Sequence, residues 1–221
     1  MQAYALLCPE EFFSCEGAKC MALLDDMLSD MRSEGVIAAL KMAEVCVSVT
    51  FPERNPYRGV EVIWPILKRV IHAILEGDDL PMVFSVQLCL LSRVILLSTD
   101  LFYKAVQDAA KNLPEYDSDP VKVLFKLLHV WTEKMNCVTQ VERWKVVGLG
   151  LAALLTTQNA TVLQRFSAIL LNLTEVLNDV MKMEEGGTYV DGLLAPPGSR
   201  PASPLEGHGG AARWEGGEEG A

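Results

Sequence analysis

Gly148-Leu149-Gly150-Leu151-Ala152-Ala153 places small residues in the pattern G-x-G-x-x-A, the spacing with which backbone amides approach a pyrophosphate in dinucleotide-binding folds. That chemistry needs a strand before the first glycine and a parallel sheet around it. The preceding residues point elsewhere. Thr139-Gln140-Val141-Glu142 has the hydroxyl and carboxylate spacing of a capping box, in which two side chains satisfy free amides in the first turn of a helix. Within a helix, Gly148 and Gly150 let a neighbouring helix come close. A nucleotide-dependent enzyme using these two glycines is a rival reading, and it predicts a sheet.

The remaining reactive residue types form no constellation. His72 falls between Ile71 and Ala73, and His129 between Leu128 and Val130, both inside apolar helical runs and without a triad pattern. Both read as packed or edge residues, and His208 lies far from either. The cysteines Cys8, Cys15, Cys20, Cys46, Cys89 and Cys137 include no C-x-x-C pair, so zinc has no framework. In a reducing compartment they read as small buried hydrophobes. The acids Asp25-Asp26, Asp30 with Glu34, Glu76-Asp78-Asp79 and Glu115-Asp117-Asp119 fall at helix ends and loops. Capping and helix dipoles explain them there, and none has the spacing of a calcium loop. The sequence nominates no catalytic, cofactor-binding or metal-ligating residue and no cofactor, and the chain is expected not to be an enzyme.

The chain's 29 acids against 19 Lys and Arg give a formal net charge of -10, and half of its 221 residues are hydrophobic. Phosphate binding needs clustered cations, so nucleic acid is disfavoured and basic partners are favoured. The amino terminus has no basic region followed by an apolar run of signal-peptide length. The sequons at Asn159 and Asn172 are therefore expected to be unused. Val86 to Ser98 is broken by Arg93, and Val146 to Thr157 is shorter than the ~20 residues a bilayer span requires, so no membrane insertion is expected.

Amphipathic helices must position whatever these residues do. Ile63, Ile66, Leu67, Val70, Ile71, Ile74 and Leu75 follow the i, i+3, i+4, i+7 rule, with Pro65 expected to kink that helix without abolishing it. A second stripe runs Val162, Phe166, Ile169, Leu170, Leu173, Val176, Leu177, Val180, Met181. Asp119 before Pro120, and Asn159, are helix-starting caps. Together these signals predict helices over about 9–32, 36–50, 58–76, 81–98, 100–112, 120–136, 140–156 and 160–183, and no strands. From Gly186 onward glycine and proline dominate, so residues 1–185 are expected to form the folded unit and 186–221 a disordered, acidic Gly/Pro-rich tail.

The apolar helices beginning at Val36, Pro81, Val121 and Thr161 recur at intervals of about 40 residues, the period of an all-α solenoid of HEAT or armadillo-like repeats. One antiparallel pair leaves apolar surface uncovered, so each pair must stack on its neighbours. Val83–Leu97, apolar nearly all round, suits a middle layer. Val70 and Leu170, each central in its stripe, are expected to be covered by an adjacent layer.

Three segments carry a family resemblance: Asp30-Met31-Arg32-Ser33-Glu34-Gly35-Val36, Val138-Thr139-Gln140-Val141-Glu142-Arg143 and Gly187-Thr188-Tyr189-Val190-Asp191, with lesser echoes at Leu75-Glu76-Gly77-Asp78 and Ser92-Arg93-Val94. In their order and spacing over about residues 5 to 194, the chain resembles the carboxy-terminal half of importin-β superfamily (karyopherin) nuclear transport receptors of the importin-eleven type. Val141 stands where that family's pattern has a proline, a change that a helix start tolerates. The resemblance implies a superhelix of HEAT repeats that binds protein cargo and Phe-Gly nucleoporins and is found in the nucleus, the cytoplasm and at the nuclear envelope. It also implies cargo release by the small GTPase Ran in its GTP form, through a surface built mainly by amino-terminal repeats of the full-length receptor. Family members are several times longer, so the chain reads as a fragment. A HEAT or armadillo scaffold or regulatory subunit of another pathway shares the same fold expectation.

Overall fold

The computed structural model describes Glu11, Phe12, Cys15 and residues 17–30, 33–48 and 56–185. Its helices are α1 (Gly17–Asp30), α2 (Ser33–Ser48), α3 (Pro56–Glu76), α4 (Pro81–Leu97), α5 (Thr99–Ala110), α6 (Pro120–Lys134), α7 (Val141–Thr156), α8 (Ala160–Leu163) and α9 (Phe166–Glu185), with short 3-10 turns at Pro114–Tyr116 and Met135–Cys137. Among the described residues there is no strand. The expected tail at 186–221 lies outside the described residues.

The starts of these helices follow from local chemistry. The Asp119 carboxylate accepts a hydrogen bond from the Val121 N–H at 2.8 Å, and Pro120 occupies the first turn, where its missing donor costs nothing. The Asn159 side chain likewise accepts from the Thr161 N–H at 2.9 Å. The capping box expected at Thr139 does not form. Gln140 is the N-cap of α7 without a side-chain hydrogen bond, and the first helical bond runs from the Trp144 N–H to the Gln140 carbonyl at 2.9 Å. Starting one residue later puts Glu142 too early in the turn to reach back in the capping-box manner. Gly77 ends α3 at φ +72°, a left-handed conformation that favours glycine, and its N–H donates to the Ala73 carbonyl. Helix α3 runs uninterrupted through Pro65, which sits on its exposed side.

The apolar stripe of α3 is covered along its length: Ile63, Ile66, Leu67, Val70, Ile71 and Ile74 are fully buried, and Leu75 nearly so. Helices α1, α3, α5 and α6 pack in one succession, and α2, α4, α7 and α9 in another beside it. Contacts of α1 with α2, α3 with α2 and α4, and α4 with α5 join the two layers. Each helix is thus held by its neighbours in a row, the arrangement of an all-α repeat superhelix. Helix α4 is the middle member of its layer, and every residue from Val83 to Ile95 except Arg93 is buried.

Two expectations about register are corrected. Spacing aligns the start at 121 with the start at 81, yet α6 packs against α3 and α5 in the other layer, and α7 is the helix stacked on α4. Helix α5 takes a layer position of its own between them, so equal spacing along the chain does not mean equal place in the stack. The single helix expected over 160–183 is divided into α8 and α9. At the break, the Arg165 N–H bonds to the Val162 carbonyl in a tight turn, while its guanidinium reaches across to α6. A tertiary contact there overrides a continuous helical pattern.

Candidate interaction surface

Gly148 and Gly150, the one pattern suggestive of a nucleotide, lie in the middle of α7 and face two other helices. A Cβ added at Gly148 would meet the Val176 side chain of α9 at 3.1 Å, and one at Gly150 would meet Ser92 of α4 at 2.8 Å. The pair sets the close approach of three helices, with helix rather than strand before it.

The ionisable groups are largely spent on joining helices. Between α2 and α4, Glu44 accepts from Arg93 Nε at 2.6 Å and from the Cys89 thiol at 3.1 Å. Arg143 of α7 is 8% exposed and close enough to influence the Cys89 thiol, so the cluster draws on three successive helices of one layer. Between α3 and α5, Asp108 accepts from Trp64 Nε1 at 3.0 Å and pairs with Lys68 at 3.5 Å and with Lys111 at 3.0 Å. The hydrogen bond from Lys111, then that from Trp64, hold its carboxyl down at about 2. Arg69 of α3 pairs with Asp25 of α1 at 3.0 Å. Tyr103 of α5 shares a 2.7 Å hydrogen bond with Thr157, the residue closing α7.

Between α6 and the α8–α9 junction, Arg165 Nη2 donates to His129 Nδ1 at 2.8 Å and to Thr132 Oγ1 at 3.1 Å, and the guanidinium lies over the Phe125 ring. A guanidinium only donates, so Nδ1 of His129 is the acceptor. Asn172 extends the seam by donating to the Thr132 carbonyl at 3.2 Å. His129 is thus an edge residue fixed by its arginine partner, while His72 is half-buried inside α3.

Cys20, Cys46 and Cys89 are buried. Burial first, then neighbouring Cys20, pushes the Cys46 thiol up to about 12, and burial followed by Glu44 does the same for Cys89. These thiols act as small core residues. Cys15 is exposed, Cys137 is partly so, and Cys8 lies outside the described residues. Among the described residues no group of three or more His, Cys, Asp or Glu could hold a metal ion. None of their helices is long and apolar enough to cross a membrane.

Sequence reasoning assigns no pairing to Glu44, Arg93, Asp108, Arg143 or Arg165. Each reads as an ordinary charged residue on a helix, and its partner lies tens of residues away. No local pattern announces such a pairing.

What the described residues leave open is apolar surface on α9. Phe166, Leu170, Leu177 and Met181 are 46%, 48%, 61% and 61% exposed, on one side of the helix, whereas Ile169 and Val176 are buried. The expectation that Leu170 is covered is therefore overturned. The apolar arc of α9 is wider than the strip that its main packing partners α6 and α7 cover.

Comparison with known proteins agrees with this all-helical stack. Importin-11 of Homo sapiens is 29% identical over 195 residues, covering 88% of this chain and 19% of that protein. Importin-11 of Mus musculus is 28% identical with the same coverage. The chain thus spans about a fifth of the length of these curated relatives. No solved structure matches it. The family model described as "Importin-11-like, TPR repeats" matches residues 1–208, almost the whole sequence, and the chain belongs to that family.

Proposed function

We propose that this chain is the repeat segment of a nuclear transport receptor that supports protein import by binding protein cargo and Phe-Gly nucleoporins. Cargo release is governed by Ran-GTP in the full-length receptor. The carrying observation is the family match over residues 1–208. Several features support the reading. Helices stacked in two layers offer long lateral surfaces and clefts between neighbours, suited to extended partners and single aromatic side chains. The net charge of -10 gives a field that attracts basic cargo. Glu44, Asp108 and His129 each join one helix to another. The protein works in the nucleus and the cytoplasm and at the nuclear envelope, without entering the bilayer and without binding nucleic acid.

The test is retention of the chain on immobilised Phe-Gly repeats, against repeats with phenylalanine changed to serine. Binding to the first alone supports the receptor reading. No retention at low salt would point to a helical-repeat scaffold of another pathway.

A further inference from the structure

Arg143 of α7 is 8% exposed, yet among the described residues its guanidinium makes no hydrogen bond and no ion pair. A guanidinium withdrawn from water without an anion is costly, so a buried one is ordinarily paired. Other arginines that join helices are paired: Arg93 with Glu44, Arg69 with Asp25, and Arg165 with His129 and Glu133. We propose that Arg143 anchors a binding site for a single carboxylate, which enters at the seam between α4 and α7.

Helix geometry sets the place. Arg143 lies two turns before Gly150, on the face of α7 that meets Ser92 of α4. Its neighbour across that seam is the Cys89 thiol, which burial, then Glu44, pushes up to about 12, so it carries no charge that could answer the guanidinium. The acid of the cluster is already engaged. Glu44 Oε1 accepts from Arg93 Nε at 2.6 Å and from Cys89 Sγ at 3.1 Å. The start of α7 acts in the same direction as Arg143: Gln140 caps it without a side-chain hydrogen bond, leaving the positive end of the helix dipole open beside the arginine.

The niche selects its ligand. One uncompensated positive charge is balanced by one negative charge, and a planar carboxylate matches the fork of guanidinium donors with two parallel hydrogen bonds. A phosphate dianion would also have to sit near the Glu44 carboxylate, against its repulsion. The 8% of Arg143 that stays exposed is an opening for one small group, not for a helix or a nucleic acid strand. The carboxylate is a free small acid or the side chain of an aspartate or glutamate on a protein partner. A net charge of -10 keeps free anions dilute around the chain, which favours the second source. The site needs only a buried cation, so it stands whether or not the chain binds Phe-Gly repeats.

The experiment follows the Arg143 Nε–Hε signal by NMR on the full chain. The probes are acetate, the capped peptide Gly-Gly-Glu-Gly-Gly, inorganic phosphate and chloride, at matched ionic strength. The signal is expected to shift saturably with acetate and with the peptide, at concentrations roughly ten-fold below those at which phosphate or chloride moves it. Tighter binding of the peptide assigns the carboxylate to a protein side chain, and tighter binding of acetate assigns it to a free acid. Arg143→Lys keeps the charge without the fork and should weaken binding roughly ten-fold. Arg143→Met should unfold no earlier than the parent when carboxylate is absent, and only the parent should gain melting temperature as carboxylate is added. The inference is overturned if the signal stays still, or if phosphate or chloride moves it as readily as acetate. It is equally overturned if Arg143→Met is less stable without any carboxylate, which would mean that the chain itself pairs the guanidinium.

Discussion

Gly150 of α7 lies so close to Ser92 of α4 that a side chain at 150 would fall 2.8 Å from the Ser92 Cβ and 3.0 Å from its Cα. Ser92 is fully buried and its hydroxyl is occupied by the Leu88 carbonyl at 2.7 Å, so one helix backbone must move to admit a methyl group. Gly150→Val is expected to destabilise the chain by about 1–3 kcal/mol, as overpacking does, against the small gain in helix propensity from removing a glycine. Gly148→Ala presses only on the Val176 side chain and should cost less. Urea denaturation of both variants checks the order, and equal stability of all three proteins would mean the helices are not in contact there.

Val70 and Leu170 illustrate what periodicity reveals and what it leaves out. Each sits mid-stripe in the sequence, yet Val70 is 2% exposed between packed helices and Leu170 is 48% exposed. Val70→Asp buries an unpaired carboxylate and should destabilise by about 3–5 kcal/mol. Leu170→Asp should cost less than about 1 kcal/mol on its own, the range of a surface position. Denaturation midpoints decide it, with a large loss for Leu170→Asp indicating that the stripe is covered.

The difference between those two positions is physical. A 3.6-residue repeat reports which side of a helix is apolar, and the helices at Pro81–Leu97, Pro120–Lys134 and Val141–Thr156 were legible within a few residues for that reason. Which neighbour covers that side depends on contacts between residues far apart in sequence. The same limit hid α6's place in the stack and the break before Phe166, where Arg165 is held by His129 and Thr132. Gly148 and Gly150 are legible as packing residues because no strand pattern precedes them, and a side chain at either would meet a neighbouring helix. The polar seams are not legible in the sequence, since Glu44 and Arg93 meet only once α2 lies on α4.

Glu44 provides a buried test of that stacking. Its side chain is 12% exposed and that of Arg93 14% exposed, at a separation of 2.6 Å, with Arg143 nearby. Removing the carboxylate leaves positive charge where water is scarce, so Glu44→Leu should destabilise by about 3–5 kcal/mol. Glu44→Leu combined with Arg93→Met removes both charges and should recover a large part of that loss. A double-mutant cycle by denaturation gives the coupling directly, and additive losses would show that the two residues do not form a unit.

Asp108 makes the contact between α3 and α5 dependent on pH. Its side chain is 29% exposed, and the hydrogen bond from Lys111, then that from Trp64, keep its carboxyl near 2 in the folded protein against 3.8 for a free aspartate. The folded state therefore holds the proton less readily than the unfolded chain. The stabilisation is complete above about pH 4 and is lost as the pH falls from about 4 towards 2. Asp108→Asn has no carboxylate to protonate. The variant should be less stable than the parent at pH 7, and the gap between them should close over that acidic window. Stability measured for both proteins at pH 7, 4 and 2.5 checks this. A gap that persists unchanged to pH 2.5 would mean that the charge on Asp108 does not hold Trp64 and Lys111 in place.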